Sequence, residues 1–160
     1  MAVKRIIAID PDVDESAWAM IEKSTKTLEY GKLRFPDLLE KLTVSDSETS
    51  VFVEAGWMAG ISNYHGIVGR RGQRVAKNVG ANHQVGKLII ECLEHDGVDV
   101  EPYHPLRKCW KGKDGKITHD ELACILRNGG YGALKRCNQD VRDAILLAYV
   151  LSNEPMIMKP

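Results

Sequence analysis

Val3-Lys4-Arg5-Ile6-Ile7-Ala8-Ile9-Asp10 is the stretch whose reading decides the fold. Residues 6–9 form a short apolar run rich in β-branched side chains, and the run stops at Asp10-Pro11. This is the pattern of a buried central strand that ends at a turn. Asp10 therefore stands at the mouth of a strand. Open α/β sheets bind their ligands at the carboxyl ends of strands, so a carboxylate there either caps a turn or faces a ligand.

Downstream of Asp10, an acidic turn over residues 11–15 leads into two further strand patterns, 16–22 and 27–33, joined by a polar turn at 23–26. Three short strands linked by tight turns predict an antiparallel meander. Pro36 opens a short helix reaching about Leu42, since proline is tolerated in a first turn, and 43–50 reads as a polar loop. Val51-Phe52-Val53-Glu54 then repeats the opening pattern and delivers a second acid to a strand end. From Ala55 to about Asn78 lies a glycine-dense interval containing Trp57, Tyr64, His65, Arg70, Arg71, Arg74 and Lys77. Its length predicts a functional or mobile loop.

Apolar residues recur at helical spacing over 79–95, and Asp96-Gly97 is the expected stop. Residues 98–103 read as another strand, parallel to 51–54 through a right-handed crossover. A basic segment follows, from His104 to a turn at 113–116. Thr118 and Glu121 have capping-box spacing for a helix to about Arg127, and Asn138 suits the N-cap of a last helix with Val141, Ala144, Ile145, Ala148 and Leu151 on one face.

With 160 residues the chain is expected to form one domain, 1–160. Apolar residues make up 44% and charged residues 28%, with 22 basic against 22 acidic side chains, so any cationic surface must be local. No apolar run has the length of a signal peptide or a membrane span, which predicts a cytoplasmic protein with no membrane partner. Cys92, Cys109, Cys124 and Cys137 form no C-x-x-C pair, which argues against a zinc site or a disulfide framework.

Asp140 and Asp143 are three apart and share one side of the first turn of the last helix. Acids in a first turn complement the helix dipole, but Asp143 is flanked by apolar residues, which weakens that reading. Four carboxylates brought together by Asp10, Glu54, Asp140 and Asp143 would resist ionising unless hard cations lay between them. Two Mg²⁺ ions about 3.5–4 Å apart can drive in-line phosphodiester hydrolysis, so a metal nuclease is the chemistry that needs this set.

The order of elements, the Ile-Ala-Ile-Asp10-Pro11 opening, Phe52-Val53-Glu54 and the late Asp140-Val-Arg-Asp143-Ala signature resemble the ribonuclease H-like superfamily. Within it, the chain is most similar to RuvC-type Holliday-junction resolvases, over residues 3 to about 152. The resemblance implies an α/β, ribonuclease H-like fold whose five-stranded mixed sheet, three antiparallel strands and then parallel ones, is flanked by helices. It also implies an endodeoxyribonuclease using two Mg²⁺ or Mn²⁺ ions per active site, with Asp10, Glu54, Asp140 and Asp143 as ligands and Asp10 bridging both ions. The implied assembly is a homodimer on a branched, four-way DNA junction.

Two residues depart from the family pattern. Asp12 stands where the family has glycine, and Trp18 where it has small residues. Asp12, Asp14 and Glu15 read as solvated turn residues or as modifiers of metal and substrate preference. Arg70, Arg71, Arg74 and Lys77 suit phosphate contact or a solvated loop, and Lys108, Lys111, Lys113 and Lys116, around Trp110, suit phosphate contact or surface solubility equally. Trp57, Tyr64 and His65 offer stacking surfaces, with core packing equally open for Trp57. His65, His83 and His104 read as structural or surface residues, and Lys87 as a possible neighbour of the site. Two other functions fit the same residues: an RNA-processing nuclease of this fold, and a junction-binding protein without catalysis.

Overall fold

The computed structural model describes residues 5–44, 48–59 and 69–158. Tyr64 and His65 lie outside the described residues, as does the side chain of Arg71. Five strands, β1 (Arg5–Asp10), β2 (Ser16–Glu22), β3 (Thr27–Leu33), β4 (Thr49–Glu54) and β5 (Val100–Tyr103), form one sheet in the order β3-β2-β1-β4-β5. β1 to β3 pair antiparallel, whereas β1, β4 and β5 run parallel. β1 is thus the centre of the sheet, and this mixed sheet is the one expected from the sequence.

The alternation along β1 sets the two layers. Ile7 and Ile9 face one side with Trp18, Val51 and Val53, where α1 (Phe35–Thr43) contributes Leu38 and Leu42, and α2 (Gly69–His95) contributes Ile89 and Leu93. Ala8 faces the other side with Ala17, Ala19 and Ile21, against α3 (His119–Asn128) and α4 (Gln139–Leu151). The three alanines matter for the site. Small side chains on this face let α4 lie close on β1 and β2, burying Val141, Ala144, Ile145 and Ala148. Asp10 and Glu54 share the parity of Ala8 and Phe52, so both acids point to the α4 side.

The helix ends follow from local chemistry. Thr118 Oγ1 accepts from the Glu121 N–H at 3.2 Å, and Glu121 Oε1 accepts from the Thr118 N–H at 3.1 Å, which completes the expected capping box of α3. Asn138 Oδ1 accepts from the Val141 N–H at 3.1 Å and caps α4. α2 ends at Gly97, whose φ of 78° suits glycine, with Val98 N–H donating to the Leu93 carbonyl and Gly97 N–H to that of Glu94.

One expectation needs correction. Residues 69–78, anticipated as part of a long loop, are the first turns of α2. Glycine dominated that reading, yet Arg70, Gln73, Arg74, Ala76 and Lys77 are good helix formers and offset a cost of about 1 kcal/mol per glycine. Beyond α4 the chain folds back: the Tyr149 hydroxyl donates to the Pro155 carbonyl at 2.8 Å, and the buried Glu154 accepts from Lys26 at 2.6 Å. Among the described residues no helix is long and apolar enough to cross a membrane.

Candidate active site

Asp10 ends β1, Glu54 ends β4, Asp140 lies in the first turn of α4, and Asp143 follows one turn further on. All four line one cleft at the carboxyl end of the parallel strands. Oxygens of Asp10, Asp140 and Asp143 lie within 4.8 Å of one another. Glu54 lines the same cleft and is not in that tight trio. The Asp140 side chain is 44% exposed and that of Asp143 22%, so Asp140 stands nearer the mouth and Asp143 deeper.

The electrostatics of the cleft are those of crowded acids. Burial, and then the charges of Glu54, Asp140 and Asp143, push the Asp10 carboxyl well above its ordinary range. Burial and Asp143 raise Glu54 to about 7. Burial also raises Asp143, against which a hydrogen bond from Gln139 and the charge of Lys116 act. Desolvation dominates in each case, as expected when anions leave water without full compensation. Lys116 Nζ lies 3.9 Å from Asp143 Oδ2, and Lys32 Nζ 3.7 Å from Asp140 Oδ2.

A second wall of the cleft comes from Asn82, which sequence reasoning did not select, His83, which it read as structural or surface, and Trp57, which it offered as a stacking surface or a core residue. His83 and Asn82 reach it from α2, and Trp57 from the turn after β4. Trp57 and His83 meet edge to face with centroids 6.0 Å apart, and Lys87 Nζ sits 5.6 Å from the Trp57 ring centre. Gly86 makes this possible, because a Cβ there would lie 2.7 Å from Trp57 Cζ3. The signal was present as spacing: 79, 82, 83 and 86 recur on one helical face. Lys116, in sequence one member of a basic loop, lies beside Asp143, and nothing in its spacing distinguished it.

The DNA-contact candidates divide. Lys108 lines the cleft together with Arg107 and Lys116. Lys111 is exposed, and its backbone N–H donates to Glu121 Oε1 at 3.1 Å. Arg70, Arg74 and Lys77 are exposed on the first turns of α2 and do not line the cleft. Arg74 precedes His83 by nine residues, roughly 13 Å along the axis.

Both departures from the family pattern find local explanations. Asp12 Oδ1 accepts from the Asp14 N–H at 2.8 Å, and the Asp12 N–H donates to Ser16 Oγ at 3.1 Å, so Asp12 organises its own turn and does not line the cleft. Trp18 pairs with Ile9 and lies on the face away from Asp10, under Lys41 Nζ at 4.4 Å.

An α/β protein of ribonuclease H-like fold with an acidic cleft at the carboxyl end of its central strand is the class that the fold and cleft define. Within that class the fold is of the RuvC type. It matches Thermus thermophilus RuvC in complex with Holliday junction substrate at 16% identity, over 91% of this chain and 90% of that one, with a TM-score of 0.52. Another T. thermophilus RuvC structure matches at 16% identity over 94% and 97% with a TM-score of 0.46. The large terminase nuclease from thermophilic phage G20c matches at 15% identity over 91% and 81% with a TM-score of 0.32. No family model and no curated protein matches the chain.

Proposed function

We propose that residues 1–160 form a single nuclease domain, a divalent-metal-dependent endodeoxyribonuclease that cuts branched DNA at four-way junctions. The observation that carries this reading is the convergence of Asp10, Asp140 and Asp143 within 4.8 Å, facing Glu54 across one cleft. These side chains fit a hard cation by donor type, since all are carboxylates, and by charge, since burial and mutual repulsion hold Asp10, Glu54 and Asp143 in a state that a cation would relieve. Asp10, Asp140 and Asp143 would hold the first Mg²⁺ or Mn²⁺, and Glu54 would complete the donor set for a second. Bound there, the ions supply the positive charge that balances the attacking and leaving oxygens of a phosphodiester.

The chain's own residues divide the remaining work. Lys108 and Lys116 present cations beside the acids, where a phosphate entering the cleft loses its hydration. Trp57, held by His83 and Lys87, forms a flat wall on which an unpaired base can stack. Branched DNA is the favoured substrate because the RuvC of like fold is seen with a Holliday junction. A four-way junction offers two symmetric cutting points, so a homodimer is the assembly that fits it.

Incubating the chain with a synthetic mobile junction, duplex, flap and structured RNA, each with Mg²⁺ or Mn²⁺, tests the proposal. Cleavage of the junction that is lost in Asp10→Asn and Asp143→Asn is the expected outcome. Each substitution is expected to reduce the rate by at least about 100-fold, the scale on which removal of a group stabilising developing charge is felt. Full activity in either variant overturns the site. Preferential cutting of RNA selects the RNA-processing reading, and junction binding without cutting selects the non-catalytic one.

A further inference from the structure

The acids of the cleft are held by a side-chain network that the proposed chemistry has not used. Gln139, the first residue of α4, donates through Nε2 to Asp143 Oδ1 at 2.8 Å and to the Ile117 carbonyl at 3.0 Å. Its other end, Oε1, accepts from Arg142 Nη2 at 2.7 Å. Arg142 in turn donates through Nη1 to the Cys137 carbonyl at 2.7 Å and through Nε to the Ile117 carbonyl at 3.3 Å. A guanidinium only donates, so Arg142 dictates which end of the Gln139 amide carries oxygen and thereby turns the NH₂ toward Asp143.

Ile117 follows Lys116, whose ammonium lies 3.9 Å from the second oxygen of Asp143. One amide thus ties the backbone of the Lys116 loop to one oxygen of Asp143 and leaves the other oxygen facing the lysine. The far side of that loop is anchored as well, by Glu121 accepting from the N–H groups of Lys111 and Thr118.

We infer that Gln139, oriented by Arg142, is a positioning residue that fixes the Asp143 carboxylate and the Lys116 loop in one geometry for metal binding and cleavage. The inference rests on the metal-nuclease reading above. Groups that hydrogen-bond a metal-binding carboxylate set its orientation, and their loss typically costs about 10–100-fold in metal affinity or activity.

The test uses the full chain stripped of metal, with Mn²⁺ binding followed by the loss of the free-ion EPR signal and steady-state cleavage of a synthetic four-way junction. Gln139→Met keeps the bulk of the side chain and removes both its donor and its acceptor. Its Mn²⁺ affinity is expected to fall by about tenfold and its kcat by at least as much, with KM for the junction unchanged. Arg142→Lys, which keeps the charge and loses the fork, is expected to move both readings the same way by a smaller step. If Gln139→Met does not fold, Gln139→Ala is read in its place. A variant that melts earlier yet binds Mn²⁺ and turns over as the native chain does overturns the inference, because Gln139 then only supports the fold. Native chain that binds no Mn²⁺ through Asp143 overturns the metal reading and this inference together. Native chain that binds and cuts while the variant equals it overturns this inference alone.

Discussion

At the scale of single residues, the acids destabilise the empty fold, and the sign of that effect is open to measurement. Glu54 titrates near 7 in the folded chain against an ordinary value of 4.5. Between those two values the folded chain keeps a proton that the unfolded chain has released, so stability of the metal-free protein falls as pH rises through that window. Below it both states are protonated and the group contributes nothing; above it the full penalty applies. Urea midpoints measured from pH 4 to 8 without metal are expected to fall more steeply for the native chain than for Glu54→Gln, with Asp10 and Asp143 leaving a residual slope. Parallel curves for the two proteins would refute the electrostatic account of Glu54. Asp10, Glu54 and Asp143 were legible in the sequence because each breaks a local rule, the first two by ending apolar strands and Asp143 by its apolar flank, and Asp140 was legible from its spacing of three to Asp143. Gln139 and Lys116 broke no such rule. A polar residue at the start of a helix and a lysine in a basic turn are ordinary in sequence; Gln139 reaches Asp143 by the four-residue spacing of one helix, whereas only the fold brings Lys116 to it.

At the scale of elements, the site depends on how closely α4 approaches the sheet. Ala8, Ala17 and Ala19 are fully buried beneath it, with no side chain beyond Cβ to keep the helix away. Ala19→Leu is therefore expected to cost about 1–3 kcal/mol by overpacking. It should also lower kcat by lifting the N-terminal end of α4, and with it Asp140 and Asp143, from Asp10. Thermal unfolding and junction cleavage on the same preparation check both effects. An equal loss of stability with native kcat would mean that α4 repacks without moving its N-terminal end. The strands, the capping box and the last helix were legible from period and caps, since those signals are local. The beginning of α2 was not, because glycine content speaks for a loop while the intervening arginines, glutamine and alanine favour helix, and the choice between them falls to the whole segment.

At the scale of the whole molecule, a formal net charge of zero means that total charge supplies no attraction of this chain to DNA. Attraction must come from placement: acids are gathered inside the cleft, and Arg107, Lys108 and Lys116 line the same cleft around them. Lys116 is engaged with Asp143, whereas Arg107 and Lys108 are exposed and available to phosphate. Each phosphate neutralised releases condensed counterions, so the logarithm of affinity falls with the logarithm of salt by about 0.9 per contact. Replacing Arg107 and Lys108 together by Gln is expected to reduce that slope by about 2 in junction binding measured with Ca²⁺ in place of Mg²⁺. The corresponding double replacement of Arg70 and Arg74 separates two geometries. Exposed on the first turns of α2, roughly 13 Å (Arg74) and 20 Å (Arg70) along the helix from His83, these arginines change the slope only if the DNA arm extends along that helix. An unchanged slope in the Arg107/Lys108 variant would instead mean that phosphate enters the cleft from another side, past Trp57 and His83.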